Sequence, residues 1–495
     1  MRKLLLLVVL LLAAVGGAGA EGIDRALLVG CDHFVSMNDT WPVAENDTAL
    51  MARALTELGV PEERVTVCLD TVSDAISLEE ALTAAFGGAA EDEVCCVYIV
   101  THGVLREDGM RLILSDGEAE SSLTPAALRS LLDAVPGRGL LILDACHAGA
   151  VIGKGAETLL ENAFAGSGWR VVCSSGADEE SWSWTDAFSA EGDELAGCSY
   201  LTGALAAALS SYGGCAADSD RDGAITLREL KRYLRSCCGE STVQTYPEED
   251  DTPLVTYDPS AVTRAEVLDL QSIVFEDDAL GWDEALGLTF TAVRDTRLGY
   301  RLVFRRNGSW DLEDPVSFWD GGEEDEPQLL PGLLDAGYHE RSILLEEDGE
   351  EDEGVDSSGY VLLQLITTDG ESSRVVCSHV LCVPAEEGDP ALSVTVPEGF
   401  CPAAGGELTF FVGHALPCAL TVTIEAEDGT VTRRLAVSQA TRPGLAHGSS
   451  FTWNGCLGDG TPAPAGRYRV RVTTRVGGER YETVSELFEL SSTGG

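Results

Sequence analysis

Positive charge is what this chain lacks most. Its 495 residues include 32 Lys and Arg against 83 Asp and Glu, a formal net charge of −51 at neutral pH. Nucleic acids and anionic membrane faces are held by basic patches, so neither is an expected partner. Cationic substrates and Ca²⁺ suit such a chain better. Long apolar runs are also missing, apart from Leu4–Val15 at the N-terminus. No internal membrane span is therefore expected. There is no Cys-x-x-Cys and no pair of His at ligand spacing, which argues against a zinc site. What is there is ordinary for a folded chain: 44% hydrophobic residues, with 54 Gly and 18 Pro for turns. The length suits three domains of about 100–200 residues each.

The N-terminus reads as an export signal. Arg2 and Lys3 precede the apolar run, Ala18-Gly19-Ala20 fits the small-x-small cleavage pattern, and Glu21 would begin the mature chain. The expectation is a signal peptide over 1–20 and a secreted, extracellular protein with no stable membrane insertion after cleavage. An uncleaved anchor is the alternative, disfavoured by the shortness of the run. The fifteen cysteines are an odd number, which in an exported protein implies one free thiol. Cys146 is the candidate, and the other fourteen are available for pairing.

From residue 26 to about 255 strand-like and helix-like segments alternate. Ala26–Val29, Val65–Leu69, Val94–Val100, Leu140–Leu143 and Arg170–Cys173 read as strands. Asp47–Leu58, Leu78–Phe86 and Leu123–Leu132 read as helices, the last starting at Thr124-Pro125. The pattern predicts an α/β domain: an open, mostly parallel sheet with helices on both faces. After Val255 the helical spacing stops. Short alternating runs follow, such as Tyr300–Phe304, Tyr360–Ile366, Leu408–Val412 and Tyr468–Thr474, separated by Gly-rich acidic loops at 323–326 and 346–353. These spacings predict two β-sandwich domains, with a linker at 384–390.

Two of the apolar strands end in reactive residues. Val94–Val100 runs into Thr101-His102-Gly103, and Leu140–Leu143 into Asp144-Ala145-Cys146-His147-Ala148-Gly149. Ligands of open α/β sheets bind beyond the carboxyl ends of the strands. A thiol becomes a strong nucleophile when a nearby base favours its thiolate, and His102 can serve as that base and then protonate a leaving amine. Gly103, lacking a Cβ, lets its N–H approach a substrate carbonyl, and with the Cys146 N–H would form an oxyanion hole. A lone Cys is ordinarily core and a lone His ordinarily a satisfied polar group. Their joint placement at two strand ends is what favours chemistry.

These residues carry a resemblance. Tyr98-Ile99-Val100-Thr101-His102-Gly103 and Leu143-Asp144-Ala145-Cys146-His147-Ala148-Gly149 are similar to the catalytic motifs of the caspase-like cysteine peptidases, nearest to metacaspases and bacterial caspase homologues. Ala26–Gly30, Glu45–Ala49 and Ser175–Ser181 resemble that family's first strand, the opening of its first helix and the loop beyond the strand that follows the nucleophile. The resemblance spans about 23–258. It implies peptide-bond hydrolysis through a thioester, with Cys146 as nucleophile and His102 as general acid/base. It implies that Asp144, and more weakly Asp32, select Arg or Lys at P1, the residue before the scissile bond. It also places Ser175 and Asp178 in the substrate-binding loop. His33 and His147 are not the expected base. Cleavage of the chain after Lys154 is a further expectation.

Asp218-Ser-Asp220-Arg-Asp222-Gly223-Ala224-Ile225-Thr226-Leu-Arg-Glu229 follows the EF-hand pattern, with carboxylates at positions 1, 3, 5 and 12 and Gly at 6. Asp218, Asp220, Asp222, the backbone of Ala224 and Glu229 are the candidate ligands of a structural Ca²⁺. The chemistry itself needs no cofactor. Near the end, Trp453-Asn454-Gly455 and Asp459–Tyr468 resemble the Ig-like module of the flagellar hook-capping protein. The expected division is a catalytic domain over 21–258, a β-sandwich over 259–388 and an Ig-like domain over 389–495.

The leading expectation is thus a secreted cysteine endopeptidase acting on protein or peptide substrates. Two alternatives stay open. One is a peptidase of the legumain or clostripain kind with another P1 preference. The other is a catalytically idle caspase-like scaffold that binds a partner through its β-domains.

Overall fold

The computed structural model describes residues 22–36, 43–155, 160–183, 198–209, 214–262, 268–276, 279–280, 285–306, 309–310, 328–329, 334–344, 355–356, 359–368, 373–402, 406–442 and 448–491. The leader over 1–20 and the acidic runs at 323–326 and 346–353 lie outside them.

In chain order the first half runs β1 (Ile23–Gly30), α1 (Val43–Glu57), β2 (Val65–Leu69), α2 (Ala75–Phe86), β3 (Val94–Val100), β4 (Gly103–Arg106), β5 (Gly109–Ser115), β6 (Glu120–Leu123) and α3 (Pro125–Leu132). It continues with β7 (Arg138–Asp144), β8 (Trp169–Cys173), α4 (Tyr200–Leu209), β9 (Ala224–Thr226), α5 (Leu227–Cys237), β10 (Gln244–Tyr246) and β11 (Pro253–Thr256). One sheet has the order β10-β8-β7-β3-β1-β2. Its pairings are parallel except that β10 runs antiparallel to β8.

Alternate residues of the central strands serve two cores, as the period of two requires. Leu28, Cys96, Tyr98, Leu140 and Ile142 face α1, α4 and α5. Leu27, Val29, Cys95, Val97, Ile99, Leu141 and Leu143 face α2 and α3. Both faces being covered explains why β3 and β7 read as unbroken apolar runs. The helix starts are built locally. Asp74 accepts from the Ser77 N–H (2.8 Å) in a capping box, and Thr124 accepts from the Ala127 N–H (3.1 Å) ahead of Pro125.

Two features of this half depart from the expectation. A small antiparallel sheet, β4-β5-β6, is inserted directly after the His102 motif. The sheet also closes on an antiparallel edge, β10, only three residues long.

The second half is built of strands, and they assemble around separate cores. Leu268–Phe275, Ala285–Ala292 and Gly337–Leu344 form one sheet, and Arg297–Val303, Tyr360–Thr368 and Ser373–Cys382 are the main strands of another. Leu288, Phe290, Leu302, Val361 and Leu363 share one apolar core. Further on, Leu408–Gly413 pairs with Gly448–Trp453, and Ala419–Ala426 with Gly466–Val476. Phe410, Trp453, Tyr468 and Phe488 fill that core. None of the fifteen cysteines, all among the described residues, is in a disulfide. The fourteen expected to be available for pairing thus remain thiols, most of them buried in these apolar cores. No described helix is long and apolar enough to cross a membrane.

Candidate active site

β3 and β7 are parallel neighbours in register, with Val100 opposite Asp144. The chain leaving β3 carries His102 and the chain leaving β7 carries Cys146, so both arrive at one sheet edge. The Thr101 N–H donates to the Asp144 carbonyl (3.2 Å), continuing the ladder past the strand ends. At Gly103 a Cβ would lie 1.7 Å from the Cys146 carbonyl oxygen, far inside contact distance. Glycine is therefore what lets the two motifs touch. The His102 ring lies against Phe34, centroids 4.4 Å apart at 56°. The chain just past Phe34 is held by Glu120, which accepts from the N–H groups of Val35 (2.9 Å) and Ser36 (3.1 Å).

After Cys146 the chain turns sharply. His147 is in the left-handed region at φ 62°, and Ala148–Ile152 form a 3₁₀ turn. The His147 ring meets the Ala177 carbonyl (2.9 Å). His33 sits on Asp70 (2.7 Å), whose hydrogen bond, and then its charge, raise the His33 pKa. Ser175, expected in the substrate loop, is fully buried under the turn that follows Cys146. Its hydroxyl donates to the Ala145 carbonyl (3.1 Å) and accepts from the Ala148 N–H (3.2 Å). It shapes the turn and does not line a groove. Asp178 is half-buried on the same loop, its N–H donating to the Gly155 carbonyl (2.9 Å).

The two expected pocket carboxylates part company. Asp32, 3% exposed, accepts from the N–H groups of Ala44 (2.8 Å) and Glu45 (2.9 Å). Both oxygens are spent on the amino end of α1, so Asp32 anchors that helix. Asp144 lies two residues before Cys146 and is also 3% exposed. Its oxygens accept from Ser181 Oγ (2.9 Å) and Thr202 Oγ1 (3.0 Å), and Tyr98 OH lies 2.6 Å from the same Thr202 oxygen. Burial pushes the Asp144 carboxyl up, opposed by the hydroxyls of Ser199, Ser181, Thr202 and Ser174. A second carboxylate, Asp47, is buried nearby and held by the Ser199 N–H (2.9 Å) and hydroxyl. Burial first, then the charge of Asp144, raises Asp47 well above the usual range.

Sequence reasoning missed Ser181 as a site residue. Its N–H donates to Cys146 Sγ (3.4 Å) and its carbonyl lies 3.8 Å from the same sulfur. Ser181 thus spans Cys146 and Asp144 together. The next residue, Trp182, packs against the cluster of Val303, Trp310, Tyr360, Leu362 and Val380 in the β-rich half. The Cys146 thiol is raised, chiefly by burial and then by Glu180 and Asp144, against the lowering effect of the Ser181 N–H.

In the Asp218 loop, carboxylate oxygens of Asp218, Asp220 and Asp222 lie within 4.8 Å of one another. Asp218 Oδ1 is buried with no protein partner, while Oδ2 accepts from the Gly223 N–H (3.0 Å) and Tyr257 OH (2.8 Å). Burial, followed by the charges of Asp222, Glu229 and Asp218, raises Asp220. Gathered carboxylates and one orphaned buried oxygen fit a hard divalent cation. Glu229 is engaged otherwise. Its oxygens accept from Ser219 (2.8 Å at Oγ) and from the Thr226 N–H (3.0 Å), forming the capping box of α5. Ala224 opens β9, which pairs with β11 where an EF-hand pair would supply a second loop.

Lys154 is the clearest departure. It is 1% exposed, and its ammonium meets Glu248 (2.7 Å), Glu407 (2.8 Å) and the Thr245 carbonyl (2.7 Å). Its ammonium is thus engaged inside the fold rather than presented at the surface.

Residues 23–247 match the family model of the caspase domain, peptidase family C14, a little under half of the chain. The first half is thus a caspase-like domain, and the match supports a cysteine peptidase in general. Among solved structures, caspase-1 of Spodoptera frugiperda aligns at 17% identity over 43% of this chain and 75% of that one, TM-score 0.29. A protein of Geobacter sulfurreducens aligns at 17% identity over 49% and 97%, TM-score 0.32. No curated protein matches the chain.

Proposed function

We propose that the protein is a cysteine endopeptidase working through a Cys146–His102 dyad and cleaving after Arg or Lys. The observation that carries this reading is the register of β3 and β7, which delivers both residues to one edge with Gly103 against Cys146. His102 takes the thiol proton and the Cys146 sulfur attacks the scissile carbonyl carbon. The Gly103 and Cys146 N–H groups receive the oxyanion. Collapse breaks the C–N bond, and His102 gives its proton to the leaving amine. Water, deprotonated by His102, then hydrolyses the thioester and restores the thiol.

The Asp144–Asp47 pair supports a cationic P1. Two buried carboxylates whose charges oppose each other are relieved by a guanidinium or ammonium. Ser181 stands in for that cation at rest. Its hydroxyl bonds Asp144 and its backbone bonds Cys146, so substrate has to displace it. Asp32 and Ser175 hold the site's scaffold, and Asp178 stays a candidate loop contact.

We further propose that Asp218, Asp220 and Asp222 hold a structural Ca²⁺, with the Ala224 carbonyl and a re-aimed Glu229 completing the set. Export by a leader over 1–20, extracellular action and the division 21–258, 259–388 and 389–495, the last Ig-like, are parts of the same proposal.

The test is cleavage of fluorogenic peptides differing only at P1, in Ca²⁺, with Cys146→Ala alongside. Turnover at Arg and Lys that falls by about 10³-fold or more in the variant is expected. Preference for Asp or Asn would overturn the pocket and leave the dyad. A chain that cleaves nothing and whose Cys146 resists alkylation would favour the idle scaffold.

A further inference from the structure

Helix α5 carries a second feature that peptide hydrolysis does not use. Arg228, Lys231, Arg232 and Arg235 recur at i, i+3, i+4 and i+7, so they share one face, while Leu227, Leu230, Tyr233 and Leu234 enter the core. Four of the chain's 32 basic residues thus stand on one helix of 11 residues. In a chain of net charge −51, each could be neutralised by a carboxylate of its own. They instead line a cavity of about 450 Å³ together with Arg442, and among the described residues two carboxylates, Glu248 and Glu249, line it with them.

Those two carboxylates are divided. Glu248 meets Lys231 and also the buried Lys154 at 2.7 Å. Glu249 lies between Arg228 at 3.8 Å and Arg433 at 3.6 Å. Arg228 has Asp251 besides, at 2.6 Å. Among the described residues Arg232 and Arg235 have no carboxylate partner, so positive charge is left over inside the cleft. Lys231, only 9% exposed, feels it: burial first, then Arg235, pushes its ammonium down to about 8. The opposite wall comes from the β-rich half. There Phe275 and His379 stack face to face, centroids 4.0 Å apart at 9°.

We propose that this cleft binds a compact polyanion, a small molecule bearing several phosphate, sulfate or sulfonate groups. Guanidinium forks hold such oxyanions through paired N–H donors. The volume is that of a small-molecule site. The Phe275–His379 pair adds aromatic contact for a ring carrying the charged groups. Binding here is independent of Cys146.

The test is calorimetric titration of the full chain with naphthalene trisulfonate, a rigid probe whose permanent charges do not sequester Ca²⁺. Benzenesulfonate serves as the single-charge control. Saturable binding of one trisulfonate per chain is expected, at least about tenfold tighter than benzenesulfonate. Arg232 is exposed, so Arg232→Glu should keep the wild-type melting temperature yet weaken binding about tenfold or more. Arg480→Glu, on the strand Glu479–Val484, should leave affinity within about twofold, as should Cys146→Ala. No saturable binding would overturn the proposal. So would equal affinity for the two sulfonates, or equal binding by the Arg232→Glu and Arg480→Glu chains.

Discussion

The two acidic clusters of the first half use the same residue type to opposite ends. At the sheet edge, Asp144 and Asp47 are buried among hydroxyls and amides that satisfy most of their oxygens. In the loop, Asp218, Asp220 and Asp222 are drawn within 4.8 Å of one another with one buried oxygen left over. Hydroxyl donors are displaceable one at a time, so on the proposed reading the first cluster trades Ser181 for a substrate cation and takes it back. A set of carboxylates with an orphaned oxygen has no such substitute and suits a cation that stays. What separates a transient from a resident cation is the supply of neutral donors.

Asp144→Asn tests the first half of that contrast with the largest effect. The amide keeps the shape and removes the charge. We expect kcat/KM at Arg peptides to fall about 10²- to 10³-fold, with peptides of uncharged P1 changed only a few-fold. An equal loss on both kinds of peptide would make Asp144 a structural residue.

Removing Ca²⁺ tests the second half. A ligand present at about 100 times its Kd stabilises by about 2.7 kcal/mol, so chelation should lower the melting temperature by about 5–10 °C. Asp218→Asn should melt near the chelated value and ignore added Ca²⁺. An unchanged melting curve on chelation would mean that the loop binds no ion. Smaller again is the effect of Trp182→Ala, which loosens the residue beside Ser181 from its seat on Tyr360 and Val380. Alkylation of Cys146 should quicken about three- to tenfold. If the rate is unmoved, the β-rich half does not hold Ser181 over the sulfur.

These contrasts also mark what the sequence could and could not reveal. Strands buried on both faces were legible because β3 and β7 have no polar face to interrupt them, and β2, β3 and their borders fall where the apolar runs do. The two reactive strand ends followed from that. The short β4-β5-β6 sheet was not legible, since four-residue strands such as Glu120–Leu123 carry no stable period. Asp32 and Ser175 read as pocket residues because a motif records which residues lie near a site, not which way their oxygens turn. Ser181, Thr202 and Asp47 were invisible as a group because they come from three distant segments and meet only through Asp144. Lys154 looked like an exposed cleavage point amid glycines. Its partner Glu407 lies over 250 positions away in the chain.

The smallest expected effect bears on how the first cluster tolerates its own charge. Asp47 is fully buried, and both burial and the charge of Asp144 raise its carboxyl well above its ordinary value of 3.8. A carboxyl whose folded pKa is raised stabilises while protonated. Its contribution is full below the unfolded value and is lost as pH rises through the folded one. Glu248 has the opposite sign: Lys154 and Lys231 outweigh its burial and hold it down to about 2, so its contribution is lost only as pH falls toward that value. Asp47→Asn removes the first kind of dependence and leaves the second. The Asn oxygen can keep the Ser199 N–H, and the Ser199 hydroxyl can turn to accept from the new amide. The variant should therefore melt at or slightly below wild type at pH 4 and a few degrees above it at pH 8. A difference that stays flat across that range would mean that Asp47 bears no excess cost of ionisation, and that Asp144 alone sets the electrostatics of the pocket.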